Sequence, residues 1–177
     1  MSKSLNLVSF VICSLLTLNC KQQSTQPTPA DQNSQQTHSI IDDQIRESIF
    51  RYQIGQNLPG YFNLSVTFLA NVEVDSVGNF KNYIDPSDTL VNRIKTDYPN
   101  VEKYSQSHYN GDYYFSSDST RPGILLNVYP WQFATSSGIK VDGGYYVGNL
   151  SSTGYTYYLH KNSNSWIVDS THVKWVS

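Results

Sequence analysis

The sequence predicts an α+β domain in which one N-terminal helix packs on a curved antiparallel sheet of four to six strands. Apolar residues recur at helical spacing in two stretches, Ile41-Ile45-Ile49-Tyr52 and Leu90-Val91-Ile94. Beyond Pro99 the chain is rich in Tyr, Val, Ile and Thr, which suit a half-buried pleated surface. The length of 177 residues leaves room for one domain plus ends.

The first helix is expected over residues 40–54. Ser39 and Asp42 have the spacing of a capping box; Arg46, Glu47 and Arg51 lie off the apolar stripe, and Gly55 with Pro59-Gly60 ends it. Residues 63–77 read as a long strand with Val66, Phe68, Ala70, Val72 and Val74 on one face. Asp85-Pro86-Ser87-Asp88 offers an N-cap, a proline at the first helical position and an acid at the third. A short helix should follow, burying Leu90, Val91 and Ile94 and finishing before Pro99. Further strands are expected over 101–107, 123–133, 139–147, 154–161, 165–169 and 172–176, with Asn162-Ser163-Asn164 turning a hairpin. This order is similar to that of the NTF2-like and cystatin-like cones, in which a curved sheet wraps an N-terminal helix.

The N-terminus points to export. Lys3 precedes an apolar run over residues 5–18, which fits a signal sequence and falls short of the ~20 residues that span a bilayer as a helix. The run stops at Thr17-Leu18-Asn19-Cys20. This resembles the lipobox of bacterial lipoproteins, in a relaxed, spirochaete-like form because Asn19 stands where Ala, Gly or Ser is usual. The resemblance implies a signal peptide over 1–19, cleavage before Cys20 and acylation of that cysteine, with incorporation of palmitate. Cys13 leaves with the signal, so Cys20 has no disulfide partner in the mature chain. The spacer over 20–38, rich in Gln, Ser and Thr, is expected to be disordered, with a single domain over 39–177. The implied location is the bacterial cell envelope, with the outer membrane favoured over the inner.

The C-terminal third carries Gly143-Gly144-Tyr145-Tyr146, Asn149-Leu150-Ser151, Gly154, Tyr157, Trp166-Ile167-Val168 and Trp175-Val176-Ser177. Together with Asp85-Pro86-Ser87-Asp88 and residues 101–106, this pattern resembles a family of small bacterial secreted or plasmid-borne domains that end in Trp-x-Val…Trp-Ile-Ser. The resemblance implies a shared fold over 85–177 and supplies no catalytic residues.

Composition argues against nucleic acid as a partner, because removal of Lys3 leaves 11 basic residues, scattered singly, against 14 acidic ones. The histidines His38, His108, His160 and His172 have no metal-ligand spacing, so neither metal nor cofactor is expected. Asp169-Ser170-Thr171-His172 invites a triad, yet there is no G-x-S-x-G elbow, and a turn between two strands explains it more simply. The acids Glu73, Asp75, Asp142 and Asp169 invite a pair for glycoside chemistry, but exposed strand faces are the common setting for such residues.

The tyrosines remain. If Tyr155, Tyr157 and Leu159 face a core with Trp166 and Val168, then Tyr158 and His160 face the other way with Thr156, and Tyr146 joins them. Tyr146, Tyr158 and His160 are thus the candidate ligand-contact surface, unless both faces are covered. The expected function is a non-enzymatic, membrane-anchored binding module for an envelope protein, a glycan or a host ligand. The alternative is a small ligand-binding or hydrolytic cone with a Tyr-lined pocket between sheet and helix.

Overall fold

In the computed structural model, which describes residues 29–58, 66–118, 122–133, 138–148 and 151–177, helix α1 (Pro29–Tyr52) lies against a large, mostly antiparallel sheet. The α+β class therefore holds. Residues 1–28, including the signal run and Cys20, lie outside the described residues.

α1 begins well before its apolar stripe. Pro29 takes the first helical position, where a missing N–H is harmless, and residues 29–38 of the expected spacer are helical. Nucleation is the costly step of helix formation, so a helix held by buried Ile45 and Ile49 extends upstream at little cost. Ser39 consequently sits inside the helix rather than at a cap, and Asp42 accepts from Arg46 Nε at 2.7 Å. At its far end α1 passes into a π-turn, Gln53–Asn57, instead of stopping at Gly55. The wider turn brings both Gln53 and Ile54 into the interior.

Ten strands follow among the described residues, more than the four to six expected: β1 (Val66–Val74), β2 (Phe80–Ile84), β3 (Val101–Lys103), β4 (Ser107–Tyr109), β5 (Tyr114–Ser116), β6 (Pro122–Val128), β7 (Gln132–Phe133), β8 (Gly138–Gly148), β9 (Ser151–Asn162) and β10 (Ser165–Val176). Six of them form a path in the order β10-β9-β8-β6-β1-β2. The sheet is not wholly antiparallel, since β1 pairs in parallel with both β3 and β6. For β3 the cause is helix α2 (Asp88–Asp97), which carries the chain back so that it re-enters beside β1 in the same direction. Leu90, Val91 and Ile94 are buried as expected. The cap is displaced, however: Ser87 Oγ accepts from Leu90 N at 3.1 Å, while Asp85 accepts from Ser105 N at 2.8 Å.

β10 is a single strand where a turn was expected. Its pairing with β9 continues through Asp169-Ser170-Thr171-His172, and register shifts at Val168/Ser170 and Val173/Trp175 absorb the extra residues. Ser163, at φ 53°, makes the tight turn of the β9–β10 hairpin.

The sheet buries side chains on both faces. Towards α1, Ile45, Ile49, Phe50 and Ile54 meet Leu69, Ile124, Leu126, Val141, Tyr157 and Leu159, with Tyr155, Trp166 and Val168 at the margin. On the opposite face Val66, Phe68, Ala70 and Leu125 pack under Tyr83, Tyr104, Tyr114 and Tyr146. Alternation along β1 and β6 divides the residues between these two cores.

Candidate functional site

The face turned away from α1 is only partly covered. A ladder of rings shields its β1–β6 side: Phe80–Tyr83 (4.9 Å between centroids), Tyr83–Tyr104 (5.3 Å), Tyr104–Tyr114 (6.2 Å) and Tyr114–Tyr146 (5.6 Å). Most are edge-on or tilted contacts, the arrangements that ring quadrupoles favour. Beyond the ladder, the floor over the middle of β8 and β9 lacks side chains at Gly144 and Gly154. Ladder pairing aligns Ala70, Asn127, Gly144, Gly154 and Trp175 in one row across five strands. The two glycines in the middle of that row are buried, and the absence of a side chain there lets neighbouring backbone and the Trp175 ring pack close.

The result is a groove of about 470 Å³. Phe80, Tyr83 and Tyr146 stand on one side, and Trp175 and Lys174 on the other, with Tyr129 and Asp142 between. Trp175 occupies the space above Gly154, where a Cβ would overlap Nε1 and Cε2 of the indole. The ring is still 53% exposed, so it presents a held aromatic surface to solvent.

One ion pair dominates the polar part of the groove. Asp142 accepts from Lys174 Nζ at 2.6 Å through Oδ2 and from Thr156 Oγ1 at 2.6 Å through Oδ1. Tyr129 is tied to the same strand by its N–H, which donates to the Asp142 carbonyl at 2.8 Å. Burial, then the Asp142 charge, pushes the Tyr129 phenol up, with Lys174 opposing. Burial lifts Tyr83 to about 12, aided by Tyr129 and Tyr104. The phenols are thus neutral hydrogen-bonding groups at ordinary pH, and the charges belong to Asp142 and Lys174.

Tyr146, Tyr158 and His160 do share this face, but they are not one site. Tyr146 pairs opposite Ser152, and Tyr158 lies six residues further along β9, roughly 20 Å away at the rise of a strand. The Tyr146 hydroxyl donates to the Asp112 carbonyl at 3.1 Å and lies 3.0 Å from the Tyr109 hydroxyl, binding the 109–113 segment to the sheet. Burial, then the contact with Tyr109, raises that phenol to about 12. Tyr158 is 41% exposed, and His160 Nδ1 is 2.6 Å from Asp169 Oδ1.

The catalytic alternatives do not assemble. Asp169 engages His160 rather than His172, which sits on β10 opposite Thr156 of β9. Glu73 takes Lys81 at 2.5 Å, and Asp75 accepts from Asn79 N at 2.9 Å within its own turn. The four acids thus have four separate settings. Among the described residues, no three His, Cys, Asp or Glu side chains converge to hold a metal ion.

A second, open cleft lies between α1, α2 and the tip of the β9–β10 hairpin. Its charges answer one another: Glu47 bridges Arg51 (3.0 Å) and Arg93 (2.6 Å), and Asp43 accepts from Ser87 Oγ at 2.6 Å. This cleft ties the two helices together.

The groove residues Trp175, Asp142, Lys174, Asn127 and Tyr129 were not singled out from the sequence as contact residues. Gly143-Gly144 and Gly154 were the available signal, since glycines within strands mark close approach, but their alignment depends on register. No family model matches the chain, and no curated protein matches it.

Proposed function

We propose that this chain is a lipid-anchored protein of the bacterial envelope, and that its domain binds a partner through the groove on the helix-free face rather than catalysing a reaction. The observation that carries the binding role is the groove itself, with exposed Trp175 seated on Gly154 beside the Asp142–Lys174 pair. An envelope protein, a glycan or a host ligand are the partner classes such a surface suits, because aromatic area with nearby hydrogen-bonding groups serves recognition of each.

The anchor rests on the pattern Leu18-Asn19-Cys20 after an apolar run. Two or three acyl chains hold a protein to a bilayer, at ~0.8 kcal/mol per buried CH₂, where one chain holds it marginally. Among the described residues no helix is long and apolar enough to cross a membrane. We also read the helix-on-sheet arrangement as akin to the NTF2-like and cystatin-like cones. A ligand pocket beneath the helix, the rival reading, has less support, because Phe50, Leu69 and Tyr157 fill that space and are fully buried.

Two measurements test the proposal. Radiolabelled palmitate should enter the wild type and not Cys20→Ala; equal labelling removes the anchor. Tagged full-length protein, crosslinked in cells, should capture a specific envelope partner that Trp175→Ala or Asp142→Lys releases. Unchanged capture by both variants moves the binding site off the groove.

A further inference from the structure

We propose that the groove is a saccharide site, with a pyranose ring stacked on Trp175 and its hydroxyls bonded to Asp142 and Lys174. This rests on the reading of the groove as a binding surface and names the class of ligand it takes.

The argument proceeds by what each part of the groove rejects. An apolar ligand would cover Asn127, Asp142 and Lys174 in the groove lining without offering them hydrogen-bond partners. An anion meets Asp142 and a cation meets Lys174, so either one must break the 2.6 Å pair or bind beside a like charge. A neutral ligand with many hydroxyls escapes both penalties. The pair suits it well, because a carboxylate only accepts and an ammonium only donates, whereas a hydroxyl does both. Asp142 and Lys174 keep 39% and 45% of their side-chain surface, leaving spare lone pairs and N–H groups facing the groove. Thr156 fixes the carboxylate from beneath, so it meets a ligand in one orientation.

Trp175 supplies the other half of pyranose chemistry. A sugar ring carries hydroxyls on its rim and C–H bonds on its faces, and those faces pack on an aromatic plane. The indole is held against Gly154 yet 53% exposed, so little ordering remains to oppose binding. The volume of about 470 Å³ falls within the usual range for small-molecule sites and takes about two sugar rings.

The test is titration of the full-length protein, in a polyoxyethylene detergent that has no sugar headgroup, with cellotriose, maltotriose and chitotriose. Choline chloride serves as the cationic control. Tryptophan emission and calorimetry report binding. At least one trisaccharide should saturate at about millimolar Kd or tighter. Trp175→Ala should weaken it about tenfold or more, and Trp175→Phe, which keeps an aromatic face, by less. Asp142→Asn retains the shape and should also weaken binding, with circular dichroism confirming the fold of each variant. Failure of all three sugars with the wild type, binding of choline alone, or equal binding by every variant overturns the saccharide assignment. If groove-dependent capture of an envelope protein persists in that event, the binding-module reading stands and only the ligand class falls.

Discussion

Trp175 rests directly on Gly154, its indole filling the space that a side chain at position 154 would take. The two residues are cross-strand partners between β10 and β9, so the contact is fixed by register rather than by loop conformation. Gly154→Ala should therefore expel the indole and leave the strand pairing in place. Tryptophan emission should shift to the red and iodide quenching should rise, with stability falling by about 1 kcal/mol from lost packing. Unchanged quenching would show that the ring is not seated there.

Glu47 joins α1 to α2 by accepting from Arg51 Nε on its own helix and from Arg93 Nε on the other. Arg51 also reaches Asp97 at 2.6 Å and the Arg93 carbonyl at 3.0 Å. The Glu47 side chain is only 19% exposed, so its loss strips partners from two cations in a sheltered place. Glu47→Gln should cost about 1–2 kcal/mol, since the groups remain half-solvated and the amide preserves some contact. Urea unfolding should show a lower midpoint at unchanged slope, and the loss should shrink at high salt.

The core was legible because periodicity carries it. Ile45, Ile49, Leu90 and Ile94 keep their buried faces whatever the sheet does, and Tyr157 and Leu159 fall on the helix side by simple alternation. What single-strand patterns could not show is which strands lie side by side. The parallel pairing of β1 with β3 follows from the passage through α2, and that with β6 from the further reversals at β4–β5 and β5–β6, while β2 escapes notice because Phe80, Lys81 and Ile84 sit largely in solvent at a sheet edge. Asp169 to His172 carry turn-forming residues, yet β9 offers a continuous ladder, and two bulges cost less than unpaired backbone. The groove fell outside a linear reading for the same reason. Asn127, Gly144, Gly154 and Trp175 are neighbours only once the register is known, while Tyr146 and Tyr158, near in composition, are distant along the strand.

Alkaline pH should destabilise the domain through its tyrosines. Burial raises Tyr83 from 10.0 to about 12, and Tyr157, the more deeply enclosed, is pushed up further still. In the unfolded chain both phenols ionise near the ordinary value, while the folded state keeps them neutral. Their contribution is thus complete below pH 10 and is lost as pH climbs towards 12 and beyond. Tyrosinate absorbance should lag behind that of the urea-unfolded protein over this window. Tyr83→Phe should make stability fall less steeply with pH there, and an unaltered slope would mean that the Tyr83 phenol is not sheltered.

Like Arg46 of α1 at the Val128 carbonyl, Gln53, at the start of the π-turn after α1, reaches into the sheet as a buried polar side chain. Its Nε2 donates to the Gly144 carbonyl at 3.1 Å and to the Asn127 carbonyl at 3.3 Å, residues that face each other across β6 and β8. Gly143 makes this approach feasible, because a Cβ there would stand 3.4 Å from Gln53 Nε2 and 2.6 Å from the Asn127 oxygen. The π-turn at the end of α1 turns the amide inward, so helix end and strand spacing are set together. Gln53→Leu keeps most of the volume and removes the donor, leaving two carbonyls short of a partner; the expected loss is about 1–3 kcal/mol. Gln53→Glu should be worse, since a buried carboxylate would face the same two oxygens. Thermal unfolding ranks the three proteins. A Gln53→Leu variant as stable as the wild type would show that the amide contributes nothing to the joint between helix and sheet.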